Sequence, residues 1–547
     1  MAAALVLLAG LSAVLAARRV YQADECQTVT MARVDARAES GRYFTDASLA
    51  TVALAPLMRA DAPSRVLFAR ARAAMLVLFW ANLLLLALCA EGTLASRQGL
   101  TALLAAATLA PLWDYGFEVR HDNLLLSGLL LSWLVLRARP RGRLSYLAAG
   151  ALAAAMQFAA FKSFAFWVPL SAAFLLFPPP GHRAPRGALA ASWLAGAALA
   201  FSAGRLLYGA LGLWPSYAAD FSGMAGAAAR AARFGPWRVF GRALVQTPLL
   251  SALALFALWS AARDLSRRGR AALGWEGSLP EAVLLAGAIL VLCADPTPYG
   301  YNILFVTPFA FLLAWREARA RGGPPRPGAA LLALHLVPFA AAVAWESAWT
   351  NARQVRLMDA AEALTAPGEP VYDAMGLVPS RPPAVFHWFD QSLVRANFTD
   401  GAWPPVRAAL AKDPPPVVIP NYRTDWLSGP DRDFLLSRWA ALSDDFRVLA
   451  AVVPAGGGAF TVLRAGRYRV SDLSDSGLGG TTPSGRPLAP GSRLDGVPFA
   501  GGVAVLSAGP HRLRSARPAA AVWMGPSLSR PPFLGWRDRR RLFVDWY

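Results

Sequence analysis

The chain has 547 residues, of which 56% are hydrophobic and only 16% charged, whereas a soluble protein has about 25% charged residues. The formal net charge is +20, but the basic residues cluster in short loops between apolar runs, which favours membrane topology over nucleic-acid binding. The three cysteines, Cys26, Cys89 and Cys293, are too few and too scattered for a disulfide framework or a zinc site.

The apolar runs predict a polytopic α-helical membrane protein. Several of these runs approach the length needed to cross ~30 Å of hydrocarbon, where helices satisfy the backbone polar groups internally. About eleven spans are predicted, near residues 2–17, 66–90, 98–114, 122–136, 144–160, 163–178, 187–208, 245–262, 279–294, 300–315 and 328–347.

Arginine-rich loops fix the predicted orientation. They follow the fourth, sixth, eighth and tenth spans and therefore all fall on one side, which the positive-inside rule makes cytoplasmic. The opposite face then holds the loop 18–65, the segment 115–121 and everything after residue 348. Arg18 and Arg19 lie on the unexpected side in this scheme, although long loops obey the rule less strictly.

The composition changes at about residue 348, where charged residues, proline and glycine become frequent. The predicted domains are a transmembrane unit over 1–347, an extracytoplasmic α/β segment over 348–456 and a small β-rich module over 457–547. Short strands are expected within 369–377 and 416–422, a helix over 431–442, and a hairpin-like pair within 503–515.

Acidic residues near the outer ends of the spans are the first candidates for chemistry. Asp24 and Glu25 follow the first span, and Asp46 lies in the same loop. Such carboxylates could act as a general base or bind a divalent cation. They could equally be ordinary solvated loop residues.

A second polar group, FEVRHDN at 117–123, directly precedes the fourth span and contains Glu118, Arg120, His121 and Asp122. It could shape a site at the membrane surface, or Asp122 could simply cap a helix N-terminus. Lys162 lies between two apolar runs, where it could bind a lipid-linked phosphate or extend its amine to the interface. His121 is a poor candidate for a metal ligand, because no second histidine lies at ligand spacing.

The order of these motifs resembles the GT-C superfamily of membrane glycosyltransferases. Three motifs support this resemblance: Asp-Glu after the first span, G-x-Y-x-x-D at Gly41, Tyr43 and Asp46, and E-x-R-x-D at Glu118, Arg120 and Asp122. The lone Lys162 and the segment PYGYNILFVTPFAFLL complete the pattern. Within the superfamily, the layout is most similar to the protein O-mannosyltransferase and lipid A aminoarabinose transferase group, over roughly residues 1–347.

The resemblance implies an inverting transfer of a sugar from a polyprenyl-phosphate carrier to an envelope acceptor, at the outer face of the cytoplasmic (inner) membrane. Asp24 would then be the general base or acceptor-orienting acid, supported by Glu25. Asp46, Asp122 and Glu118 would shape the acceptor or metal site, and Lys162 and Arg120 would face the donor phosphate. Asp24, Asp46, Asp122 and Lys162 are expected to line one outward-facing cavity. A divalent cation is a possible cofactor, and the resemblance does not identify the acceptor.

Non-enzymatic functions remain alternatives: a lipid or polysaccharide transporter, an envelope assembly protein, or a sensor whose external domain binds ligand. A transporter is expected to have ionisable groups near mid-membrane, whereas the charges here lie at the span ends. No P-loop, HExxH or GxSxG motif occurs, which disfavours ATP-driven transport and the common hydrolases.

Overall fold

The structure is a computed structural model. It describes residues 1–36, 48–59, 61–137, 142–177, 185–218, 235–269, 277–295, 299–322, 329–385, 405–474, 482–483, 486–526, 528 and 542–543.

The N-terminal part is built from helices: α1 (Ala2–Arg18), α2 (Ala23–Ala36), α3 (Leu49–Met58), α4 (Ser64–Glu91), α5 (Arg97–Ala106), α6 (Ala110–Tyr115), α7 (Asp122–Arg137), α8 (Arg143–Ala159), α9 (Ser163–Leu176), α10 (Arg186–Ala210), α11 (Trp237–Gln246), α12 (Pro248–Arg268), α13 (Leu279–Ala294), α14 (Ile303–Ala320) and α15 (Ala329–Ala348). Four of them, α4, α10, α12 and α15, are long and apolar enough to cross a membrane, and α1, α3, α7, α9 and α13 are shorter apolar helices. The chain is therefore a membrane protein, and the count of about eleven spans stays a prediction.

Two regions differ from the predicted span pattern. The loop after the first span contains helices α2 and α3, and the predicted span 98–114 is two helices, α5 and α6, separated at residues 107–109. Pro111 lies in the first turn of α6. Proline lacks an N–H and is favoured at a helix start, so its position fits a new helix that begins at Ala110.

Helices α8 and α10 cross at very close range because each presents a glycine to the other. A Cβ atom on Gly150 would lie 1.9 Å from the backbone oxygen of Trp193, and one on Gly196 would lie 1.9 Å from that of Leu147. Small residues allow such an approach of two apolar helices. This contact fixes α8, which leads directly into Lys162.

The C-terminal part combines helices and two sheets. Its helices are α16 (Ala352–Leu364), α17 (Val406–Lys412) and α18 (Gly429–Arg438), and its strands are β1 (Val371–Tyr372), β2 (Val417–Val418), β3 (Trp439–Ser443), β4 (Phe446–Val453), β5 (Gly458–Val462), β6 (Gly466–Ser474), β7 (Thr482–Pro483), β8 (Arg493–Leu494), β9 (Val497–Pro498), β10 (Gly502–Leu506), β11 (Gly509–Arg514) and β12 (Ala519–Trp523).

One sheet runs in the order β1-β2-β4-β12-β6-β10, with β3 beside β4 and β7 beside β6; the second runs β5-β11-β8-β9. Only β1 and β2 are parallel among the described pairs, with Val371 opposite Val417. Strand β4 pairs with β2 on one side and β12 on the other. The predicted boundary at 456/457 therefore lies within one continuous sheet.

Two local predictions in this part are wrong. The helix expected over 431–442 ends at Arg438, because Trp439 turns into an extended strand, buries its ring and donates from Nε1 to the Pro415 oxygen at 2.8 Å. The hairpin expected within 503–515 does not form: β10 pairs with β6 and β11 with β5. Gly509 has a φ of +125°, which sends the chain into the other sheet instead of back along β10.

The C-terminal part packs directly on the region between α1 and α4. Gln354 exchanges two hydrogen bonds with the backbone of Tyr21, at 2.7 and 2.9 Å. Thr30 Oγ1 donates to the Gly376 oxygen at 2.9 Å. Apolar residues of α2, α4, α16 and the sheet form one shared buried cluster. The sheet therefore lies at the end of the helical part where α2 and the N-terminus of α4 meet.

Candidate active site

Helix α2 presents its two first-turn acids to different surroundings. Acidic residues are favourable in the first turn because of the helix dipole. Successive residues point about 100° apart around a helix axis. The Asp24 side chain is accordingly 34% exposed, whereas the neighbouring Glu25 side chain is fully buried. Only Asp24 is available to a ligand.

Asp24 belongs to an alternating series of charges that joins three separate segments. Arg120 forms an ion pair with Asp24 through Nη1 and donates from Nε to Asp122 Oδ2 at 3.0 Å. Lys162 forms an ion pair with the other oxygen of Asp122. We call Asp24, Arg120, Asp122 and Lys162 the charged array. The charged array lies at the N-terminal ends of α7 and α9.

Tyr301 and Asn302, just before α14, complete one wall of the array. The guanidinium of Arg120 lies 3.7 Å from the centre of the Tyr301 ring, and the Lys162 amine lies 4.4 Å from it. Lys162 Nζ also donates to Asn302 Oδ1 at 3.1 Å. Both residues lie within the segment PYGYNILFVTPFAFLL, and the sequence pattern assigned neither of them a role of its own. The signal available was the polar YGYN run directly before an apolar helix.

The array combines buried and accessible groups. Asp122 and Arg120 are 0% and 5% exposed, whereas the side chains of Lys162 and His121 are 24% and 33% exposed. His121 Nε2 lies 3.7 Å from Asp122 Oδ1. The buried pair therefore fixes the positions of Asp24 and Lys162, and these two accessible groups can meet a ligand.

Arg423, in the turn after β2, brings a further cation from the C-terminal part. Its guanidinium contacts the amide oxygen of Gln27, one turn along α2 from Asp24, when that amide is oriented to accept. Burial would raise the pKa of the Asp24 carboxyl, but the charges of Arg120 and Arg423 outweigh burial and lower it. Asp24 is therefore ionised at neutral pH. Sequence reasoning missed Arg423, because nothing in NYRTDW distinguishes it from other surface arginines.

Glu25 belongs to a separate hydrogen-bond network that does not include the charged array. Its carboxylate accepts hydrogen bonds from Arg72 at 2.6 and 2.9 Å and from the backbone of Val119 at 3.1 Å. Arg72 in turn donates to backbone oxygens at the end of α1, including those of Ala16 and Val20. This network joins α1, α2, α4 and the chain segment before α7 that carries Arg120.

Glu118 also lies away from the array, in an ion pair with Arg19. The Arg19 guanidinium contacts the carboxylates of Glu118 and Glu346 at 2.6 Å each. It also donates to the backbone oxygen of Asp114 at 2.7 Å. All three charged side chains are buried. Arg19 is thus a structural counter-ion for two acids, which gives a physical reason for an arginine that the predicted orientation places on the unexpected side.

Asp46, together with Gly41 and Tyr43, lies outside the described residues. Among the residues that the structure describes, no group of three or more His, Cys, Asp or Glu side chains is arranged to hold a metal ion. Both acids of the array are paired with cations, and Asp24 is the accessible one of the two. The described part of the site therefore offers Asp24 as a hydrogen-bond acceptor and Lys162 as a cation for an anionic group.

No model of a known protein family matches the chain, and no curated protein sequence matches it. One solved structure is similar in fold, the Archaeoglobus fulgidus oligosaccharyltransferase tethered to an acceptor peptide that contains the NVT sequon. The two chains are 12% identical, the TM-score is 0.43, and the alignment covers 88% of this chain and 74% of that chain. A likeness of this degree carries no argument about function.

Proposed function

We propose that the protein is an inverting glycosyltransferase of the GT-C type, which moves a sugar from a polyprenyl-phosphate carrier to an envelope acceptor at the outer face of the cytoplasmic membrane. The observation that supports this proposal best is the charged array, with accessible Asp24 and Lys162 held by buried Arg120 and Asp122. The order of sequence motifs supports the same reaction class.

Lys162 is assigned to contact the donor phosphate, and Arg120, which is buried, contributes its positive charge to the same phosphate without contacting it. A polyprenyl carrier keeps its phosphate at the membrane surface, and the predicted spans put the first residues of α7 and α9 at that level. The phosphate is the leaving group, so negative charge grows on its bridging oxygen as the bond to the sugar breaks. Fixed cations placed at such an oxygen stabilise the transition state.

Asp24 is assigned to the acceptor. The acceptor oxygen or nitrogen forms a bond to the anomeric carbon from the face opposite to the phosphate, which leaves with the bonding electrons. Asp24, ionised because Arg120 and Arg423 lower its pKa, accepts the hydrogen bond of the attacking group and receives its proton. A lowered pKa makes it a weak base, so orienting the acceptor is the larger part of its role.

The remaining predicted residues receive supporting roles in this proposal. Glu25 and Glu118 are buried in ion pairs with Arg72 and Arg19, so they position the segments that carry Asp24 and Arg120. Asp46 stays a predicted acceptor or metal residue. If a divalent cation takes part, Asp24 is the described carboxylate that would contact it, and the cation would add charge stabilisation.

A transporter or an assembly protein is the second candidate. A transport pathway favours ionisable side chains near the middle of the spans. The charged array instead lies at the first residue of α7 and at the residue preceding α9. This placement favours chemistry at the membrane surface over transport.

The test compares glycans in the source organism after deletion of the gene and after its restoration. We expect deletion to remove one sugar from an envelope lipid, glycan or protein, and the wild-type chain to restore it. Asp24→Asn should lower transfer by about 10²–10⁴-fold while the protein still inserts. Asp433→Asn, an exposed acid on α18, is the matched control and should restore transfer fully.

Two outcomes would contradict the proposal. Unchanged envelope glycans after deletion would exclude the enzyme. Full transfer by Asp24→Asn would exclude the role given to Asp24.

A further inference from the structure

Three helices that begin near the C-terminal part end together at the opposite side of the molecule, around a pocket of about 240 Å³. Helix α4 is 28 residues long and ends at Glu91, at the pocket, while Ser64 at its start contacts the C-terminal part. Helices α7 and α14 likewise begin beside the charged array and contribute Arg137, Arg316 and Arg319 to the pocket. This arginine pocket is therefore remote from the candidate active site.

Among the described residues, the arginine pocket brings three cations together with two acids. Glu281 is buried and pairs with Arg137 at 3.1 Å, and its contact to Arg316 is 3.8 Å. Glu91 lies 3.4 Å from Arg319 and also accepts from the indole of Trp315 at 2.7 Å. Three guanidinium groups thus face two carboxylates that are both already engaged.

Arg316 has an unmet hydrogen-bond donor in this pocket. Its Nε is buried without a hydrogen bond among the described residues and lies 3.8 Å from Glu281 Oε1, which is too long for a hydrogen bond. The Arg316 side chain is 30% exposed and that of Arg319 is 40% exposed, so both reach the pocket opening. An anion entering from outside would meet these two partly exposed guanidinium groups.

We propose that the arginine pocket binds the phosphate of an anionic lipid head group. The pocket lies at the ends of apolar helices, where the head groups of a bilayer are found, and Leu88 and Ala90 of α4 give it an apolar side. Basic pockets between membrane helices on the cytoplasmic side are suited to such head groups. The orientation predicted from the arginine-rich loops puts this pocket on that side. The site is independent of the glycosyltransferase proposal.

Native mass spectrometry of the full chain in detergent tests this assignment. The probes are phosphatidylglycerol, zwitterionic phosphatidylcholine and inorganic phosphate. We expect phosphatidylglycerol to bind in preference to the other two. Arg316→Gln and Arg319→Gln should each lower its affinity about fivefold, and the double variant should lower it further. The matched control is Arg321→Gln, because Arg321 lies at the same helix end but pairs with Glu317 in the i,i+4 arrangement.

Equal binding of phosphatidylglycerol to the wild type and to the double variant would overturn the site. Equal binding of phosphatidylcholine would show that the charge is not recognised. Inorganic phosphate that binds as tightly as the lipid, and is lost in the same variants, would overturn the lipid assignment. If Arg316→Gln does not fold, Arg319→Gln alone decides the result, since its side chain is the more exposed of the two.

Discussion

Glu25→Gln tests whether the buried ion pair with Arg72 holds the active-site helix α2 in place. Glu25 is fully buried and accepts four hydrogen bonds, two from Arg72 and one each from the backbone N–H groups of Gln22 and Val119, at 2.6–3.1 Å. Glutamine keeps the shape but removes the charge. The side-chain NH₂ group of glutamine would also face one of the N–H groups that now donate to Glu25. Arg72, with only 3% of its side chain exposed, would keep an uncompensated charge.

The size of the effect follows from this burial. Removing one partner of a buried ion pair costs about 3–5 kcal/mol. Every 1.4 kcal/mol is a factor of ten in an equilibrium, so separation of α2 from α4 should become about 100-fold more frequent at the lower end of that range. Cys26 follows Glu25 on α2 and is fully buried in the apolar cluster that α2 shares with α4 and the C-terminal part, so we expect displacement of α2 to expose its thiol.

The assay is the rate of thiol labelling of the folded protein. It is measured under conditions in which α2 returns to its packed position faster than the exposed thiol reacts. Cys293, which is exposed, is first replaced by serine, and Cys89, near the far end of α4 and remote from α2, is the internal reference. We expect Cys26 labelling to rise about 100-fold while Cys89 labelling stays unchanged. Asp359→Asn, which breaks a solvent-exposed 3.9 Å ion pair, is the control. A rise below about threefold in Glu25→Gln, comparable to the 0–1 kcal/mol of a surface ion pair, would refute the reasoning.

Two further predictions use other features of the site. Burial lowers the pKa of Lys162, although the attraction of Asp122 opposes it, so activity that needs its charge is present below that lowered pKa and lost as the pH rises through it. The alkaline limb of kcat/KM should therefore move to higher pH in Lys162→Arg, and an unmoved limb would contradict the role of Lys162. Gly376→Ala should loosen the C-terminal part, since Gly376 has a φ of +82° and a Cβ would lie 2.6 Å from Thr30 Oγ1. Cys26 labelling should rise at least about tenfold, whereas Gly368→Ala, which has open space for a Cβ, should leave it unchanged.

The sequence determined the features that depend on neighbouring residues along the chain. Hydropathy places most of the helices, because each satisfies its own backbone within one segment. The first-turn acids of α2 and α7 follow from the helix dipole. The two strands β1 and β2 lie within the segments predicted for them, where prolines flank short apolar runs. Local patterns were insufficient at Trp439 and Gly509, where burial and sheet pairing overrode them.

Only the tertiary structure decided which charged groups meet. The sequence singled out Asp24, Glu25, Glu118 and Arg120 as parts of one site, yet Asp24 and Arg120 pair across 96 positions while Glu25 and Glu118 are buried in other networks. Arg423 reaches α2 only because the C-terminal part packs on it. The physical reason is that hydropathy and helix formation are local, whereas the partner of a charge depends on how separate helices pack.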